Sequence, residues 1–171
     1  MESAVWGLLG TLVGASASIV ASLITSRSSV RLQANAASRE LLDKHRAMQM
    51  QTLLELQEAV NKEMRAAAKA NIADEMEFRR SGEWTRPLLG EALNQENFEA
   101  GRRTAFLVER VADDALRAQV NATRESCTAV LLARSRSAAD VALKQMTERG
   151  MKAQQDLGVV LRRLYASPPS E

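Results

Sequence analysis

The chain has 171 residues, with 23 Lys and Arg against 21 Asp and Glu, one His and one Cys. That length suits one domain plus an anchor, and the near balance of charge excludes a strongly basic nucleic-acid surface. A single cysteine, Cys127, excludes an internal disulfide and fits a reducing cytoplasm.

The first predicted element is Ala4 to Thr25, AVWGLLGTLVGASASIVASLIT, a run of 22 residues without a charge. At about 1.5 Å per residue it covers roughly 33 Å, enough for a hydrocarbon core of about 30 Å. Unpaired backbone groups are costly there, so the run should be helical throughout. Trp6 falls near one end, at headgroup level. A buried core helix or a cleaved signal peptide are the alternatives. Uncharged runs of this length usually span a bilayer. A signal peptide wants positive charge before the run, and Met1-Glu2-Ser3 supplies none. Arg27, Arg31, Arg39 and Lys44 follow the run, so the positive-inside rule puts the N-terminus outside and the C-terminal region in the cytoplasm. Within the run Gly10, Gly14, Ser18 and Ser22 recur every four residues, with Gly7 just before. That small ridge suits close helix–helix contact in the membrane.

Residues 26–80 form the second element. Between Ser28 and Arg80 there is no Gly or Pro, and Val30, Ala34, Ala37, Leu41 and Met48, then Leu53, Leu56, Val60, Met64 and Ala67, recur at helical spacing. They predict one apolar stripe along a helical arm of about 50 residues. Residues 81–87 read as a turn, punctuated by Gly82 and Pro87. Thr85 is placed to cap the next helix, with Pro87 in its first turn.

Residues 88–166 return along the arm. Leu89, Leu93, Phe98, Phe106, Val108 and Val111 mark a short middle helix, interrupted by Gly90 and Gly101. From Asp113 to Tyr165 the stripe resumes through Leu116, Val120, Cys127, Leu131, Leu143, Met146, Leu157, Val160, Leu161 and Leu164. Asp113 and Asp114 suit a first turn. Ser137 to Asp140 reads as a capping box, which would break the stripe near Arg134 to Ser137. The stripe can also be drawn unbroken, so one helix and two both fit. Residues 167–171, with Pro168 and Pro169, form a frayed tail. The fold class expected is all-α: one N-terminal transmembrane helix, then a long antiparallel helical hairpin or small helical bundle.

Chemistry-bearing motifs are few. His45, the only histidine, has no Cys nearby and reads as a plain helix residue. Cys127 lies on the apolar stripe and reads as a small buried hydrophobe. Asp74, Glu75 and Glu77, and the pair Asp113 and Asp114, read as solvated helix faces. Asn121-Ala122-Thr123 matches a glycosylation sequon, which carries no meaning inside a cytoplasmic helix. No phosphate-binding loop, dinucleotide fingerprint, nucleophile elbow or zinc-protease motif is present. No cofactor, metal or small-molecule substrate is therefore expected.

The layout resembles the uncharacterised membrane-anchored helical proteins of high-GC actinobacteria. The residues that carry the likeness are the Gly/Ala/Ser anchor ending in LITSRSSVRLQ, Leu23 to Gln33, and Arg/Ala-rich helices such as FLVERVADDALRAQV, Phe106 to Val120. The resemblance implies a bacterial inner-membrane protein and carries no catalytic residue.

The functional expectation is a non-enzymatic, single-pass membrane protein whose cytoplasmic helices oligomerise or bind a protein partner. The alternative is a membrane-active effector, holin-like or toxin-like, whose Gly/Ser ridge packs several copies together. Partners expected are the membrane and a second copy or an unknown protein, with no nucleic acid.

Overall fold

The computed structural model describes residues 2–84 and 90–166. Within the first helix, side chains are described for Ser22, for residues 25–27 and from Ser29 onward. Four helices occur among the described residues, and no strand. They are α1 (Glu2–Ser81), α2 (Glu91–Val108), α3 (Asp114–Leu132) and α4 (Arg136–Ala166). Among the described residues no helix is long and apolar enough to cross a membrane. The side chains of the uncharged run, Ser22 and Thr25 apart, lie outside the described residues.

The helices divide into two units, one up to His45 and one from Arg46 on. The first unit is α-helix from Glu2. The expected stripe of residues 30–41 is open to solvent: Val30 is 61% and Leu41 59% exposed, and Ala34 and Ala37 are exposed as well. A single buried stripe along the whole arm is therefore not what forms. The stripe is buried only in the second unit, where other helices exist to cover it.

The second unit is a four-helix bundle. Leu53, Leu56 and Val60 of α1 meet Leu107 and Val108 of α2, Leu116 and Val120 of α3, and Leu157 and Leu161 of α4. Further along, Ala67 meets Cys127 and Val130 of α3 and Ala142 and Met146 of α4. Thus α1 and α3 run from the first cluster to the second, and α4 runs back. α2 also runs back, because Lys69 pairs with Glu96 at 2.6 Å while Glu55 pairs with Arg103. The up-down-up-down order follows from connections too short for anything but antiparallel neighbours. Of the hairpin and the small bundle expected, the bundle is what this unit forms: α2, α3 and α4 all pack on the Leu53 to Ala67 part of α1.

Each helix end has a local cause. α1 stops at Gly82, whose φ of 74° suits a residue without Cβ and whose N–H donates to the Phe78 carbonyl at 2.8 Å. Thr85 and Pro87 lie outside the described residues. Helix α2 begins at Glu91, after Gly90, without a side-chain cap. Asp113 caps α3, its Oδ1 accepting from the Leu116 N–H at 2.9 Å. Gln49 clamps the α2–α3 turn, donating to the Arg110 carbonyl at 3.0 Å and accepting from the Ala112 N–H at 3.3 Å.

The span from Asp113 to Tyr165 is two helices. α3 ends at Ala133, whose backbone turns extended. The cap of α4 is Ser135, not Ser137: its Oγ accepts from the Ala138 N–H at 3.2 Å. Trp84 ties this turn to the end of α1. Its indole N–H donates to the Ala133 carbonyl at 3.3 Å, and its ring lies 5.9 Å from that of Phe78. Arg136 sits over Phe78 and pairs with Glu75 at 2.9 Å.

The α2 stripe also differs from expectation. Phe98 and Phe106 are 62% and 53% exposed, while Thr104, Leu107 and Val108 face the core. Arg102 and Arg110, one turn further on, lie over the two phenyl rings at 6.0 and 4.2 Å. Those i,i+4 cation–π contacts give the rings partial cover without burial.

Candidate functional site

The most unusual chemistry lies inside the bundle, between the two apolar clusters. Val60 belongs to the first and Ala67 to the second, and between them α1 places Glu63, only 9% exposed. The spacing 60, 63, 67 keeps Glu63 on the face that points inward. Around it, α2 contributes Gly101 and Thr104, and α3 contributes Arg124. A Cβ at position 101 would rest in ordinary contact with Glu63 Oε1, at 3.6 Å, so α2 passes directly over the carboxyl.

The carboxyl is incompletely satisfied. Arg124 Nε lies 3.9 Å from Oε1, an ion-pair distance too long for a hydrogen bond. Glu63 Oε2 and Arg124 Nε have no hydrogen-bond partner. Arg124 turns a terminal nitrogen to Asn121 Oδ1 at 3.2 Å instead. Burial pushes the Glu63 pKa up, and the Thr104 hydroxyl and the Arg124 charge oppose it.

The other buried hydroxyls are quiet. Thr123 and Ser126 donate back to the Gln119 and Ala122 carbonyls at 3.1 and 2.9 Å. Cys127, 2% exposed, has its thiol pushed up to about 12, by burial first and then by the Glu63 charge. That thiol stays protonated and unreactive at neutral pH. The layer can fix the register of α1 against α2 and α3, and it can hold a proton.

One measurable consequence follows for stability. The folded chain binds the Glu63 proton more tightly than the unfolded chain does, so the residue's contribution falls as pH rises from about 4.5 through its raised folded value. Glu63→Gln has no proton to lose. It should match the parent near pH 4 and be more stable by on the order of 1 kcal/mol at pH 8, where the parent buries a charge. Urea unfolding at the two pH values checks this; an equal difference at both would overturn it.

The ridge expected to make helix–helix contact lies elsewhere. The side chains of Gly7, Gly10, Gly14 and Ser18 are outside the described residues, and Ser22 is exposed. His45 is exposed, and among the described residues no group of His, Cys, Asp and Glu is placed to hold a metal. The acidic cluster is spread over separate tasks: Glu75 pairs with Arg79 and Arg136, Glu77 with Arg80, and Asp74 is 8% exposed. Asp114 pairs with Arg117. Glu63 itself carries a sequence signal that composition hides, a charged residue on an otherwise apolar stripe. Comparison with protein-family models, with curated proteins and with solved structures gives no significant match.

Proposed function

We propose that this chain is a single-pass membrane protein, N-terminus outside, whose cytoplasmic helical bundle is a non-enzymatic interaction or oligomerisation module. The observation that carries the reading is the uncharged run from Ala4 to Thr25 at the head of α1. Helical backbone through the run is what a lipid environment demands. Arg27, Arg31, Arg39 and Lys44 on one side, with none on the other, give it an orientation. The Gly10, Gly14, Ser18 and Ser22 ridge, extended by Gly7, supplies a face for association in the membrane. The resemblance to membrane-anchored helical proteins of actinobacteria points to a bacterial plasma membrane. A bundle whose interior is filled by side chains suits display and contact better than turnover.

The test is fractionation. The full chain should pellet with membranes and stay there through carbonate and high salt. A reporter fused after Glu171 should be active on the cytoplasmic side. Release of intact protein without detergent would overturn the anchor, and a periplasmic signal would overturn the orientation.

A further inference from the structure

We propose that α1 pairs in parallel with α1 of a second copy of this chain, through a narrow seam made by Val30, Ala34, Ala37 and Leu41. The spacing between these residues alternates four, three and four, the heptad pattern that keeps an a/d seam facing a partner helix. All four side chains are exposed. A helical stretch without packing is marginal in water, because most helical stability comes from burying one face. Val30 and Leu41 supply bulk at the ends of the seam. Ala34 and Ala37 let the backbones approach between them.

The flanks fit a second copy. With Ala34 and Leu41 at a and Val30 and Ala37 at d, Glu40 takes g and His45 takes the following e. In a parallel pair those two positions of opposite chains face each other, so a carboxylate of one copy meets the ring N–H of the other. Gln33 and Ser38 make the neighbouring pair of the same kind, which is polar and uncharged. Lys44 occupies the next seam position, and its ammonium is held by Glu40 of its own chain at 2.6 Å. Its aliphatic stem can cover the seam while the charge stays at the edge. The parallel direction rests on the proposed anchor: two copies held in one membrane by residues 4–25 enter the cytoplasm side by side.

Cysteine cross-linking in native membranes tests the seam. The one native cysteine, Cys127, is buried and silent as a background. Val30→Cys and Ala37→Cys in the full chain should each oxidise to a reducible species of twice the chain's mass. Both pairs of α carbons would lie within disulfide reach, about 6 Å. Asn35→Cys, on the opposite side of the helix, should cross-link roughly tenfold more slowly. All three positions are exposed, so folding is undisturbed.

Equal cross-linking at Asn35 would overturn the seam, as collision alone gives that. Cross-linking at only one of the two seam positions would overturn the parallel pairing. So would a product of any mass other than double. Failure at both positions, with the protein in the membrane fraction, rejects the pairing and leaves the anchor standing. Seam-specific dimers in the soluble fraction reject the anchor and keep the pairing.

Discussion

Leu157→Ala should lower the stability of the bundle by about 3 kcal/mol, with the m-value unchanged. Leu157 is 0% exposed and belongs to the core cluster to which all four helices contribute, with Leu53 and Leu56 of α1, Leu107 of α2 and Leu116 of α3. Truncation removes apolar surface and leaves a cavity between side chains fixed on separate helices. Such a site relaxes little, so the cavity adds to the transfer cost. A domain of this size is stable by roughly 5–15 kcal/mol, so the loss is a large fraction, visible as a fall of roughly 10 °C in Tm. Met151→Ala is the control, because Met151 on the same helix is 61% exposed. It should stay within about 0.5 kcal/mol of the parent. Urea unfolding of the full chain in mild detergent, followed by far-ultraviolet circular dichroism, measures both. Equal losses would mean that α4 does not dock through Leu157.

Spacing made most of the bundle readable. Leu53, Leu56, Val60 and Ala67 recur at intervals of three, four and seven residues and are buried, as are Leu116, Val120 and Cys127 at intervals of four and seven, and Leu157 and Leu161 four apart. What spacing cannot say is whether the chain itself covers an apolar face. Val30, Ala34, Ala37 and Leu41 carry the same periodicity as the buried run, yet all are exposed. Coverage depends on where the returning helices end, and that is a long-range fact. Phe98 and Phe106 misled for a different reason. Their size argues for burial, but Arg102 and Arg110 give the rings local cover, and α2 turns Thr104 and Leu107 inward instead. Both Ser135 and Ser137 could cap α4. The choice falls to Ser135 because the backbone is already extended at Ala133.

Glu63 shows how a functional-looking group escapes notice. By composition it is one more acid on an Arg- and Glu-rich helix, and only its place on the stripe between Val60 and Ala67 marks it out. Its setting comes from Gly101 and Thr104, about forty residues on, and from Arg124 further still. A buried carboxyl with one oxygen unpartnered adds little stability. Its effect is selective: a helix slipped by one turn would bring an apolar residue opposite Arg124 and leave the carboxyl against hydrocarbon. The layer therefore opposes other registers of a bundle whose Ala-rich faces would otherwise tolerate sliding.

Gly150 is the other residue whose reason is remote, and replacing it should have the second large effect. A glycine inside a helix costs roughly 0.5–1 kcal/mol relative to alanine, and Gly150 stands in the middle of α4. A Cβ there would run into the Met64 side chain of α1, at its sulfur and terminal methyl. Met64 packs against both apolar clusters, so this contact is the joint between them. Gly150→Ala should be nearly neutral, because the helix gains propensity while the flexible end of Met64 gives way. Gly150→Ile cannot be accommodated by moving one methyl. It should cost on the order of 2–3 kcal/mol by forcing α4 away from α1. Met64→Ala in the same chain opens the space the new side chain needs. The double variant should then be more stable than the two single losses predict, with a coupling of roughly 1–2 kcal/mol. Urea unfolding of the two single variants, the double variant and the parent closes the cycle. Strict additivity would mean that Gly150 and Met64 do not share the joint, and that the close approach of α1 and α4 is set elsewhere.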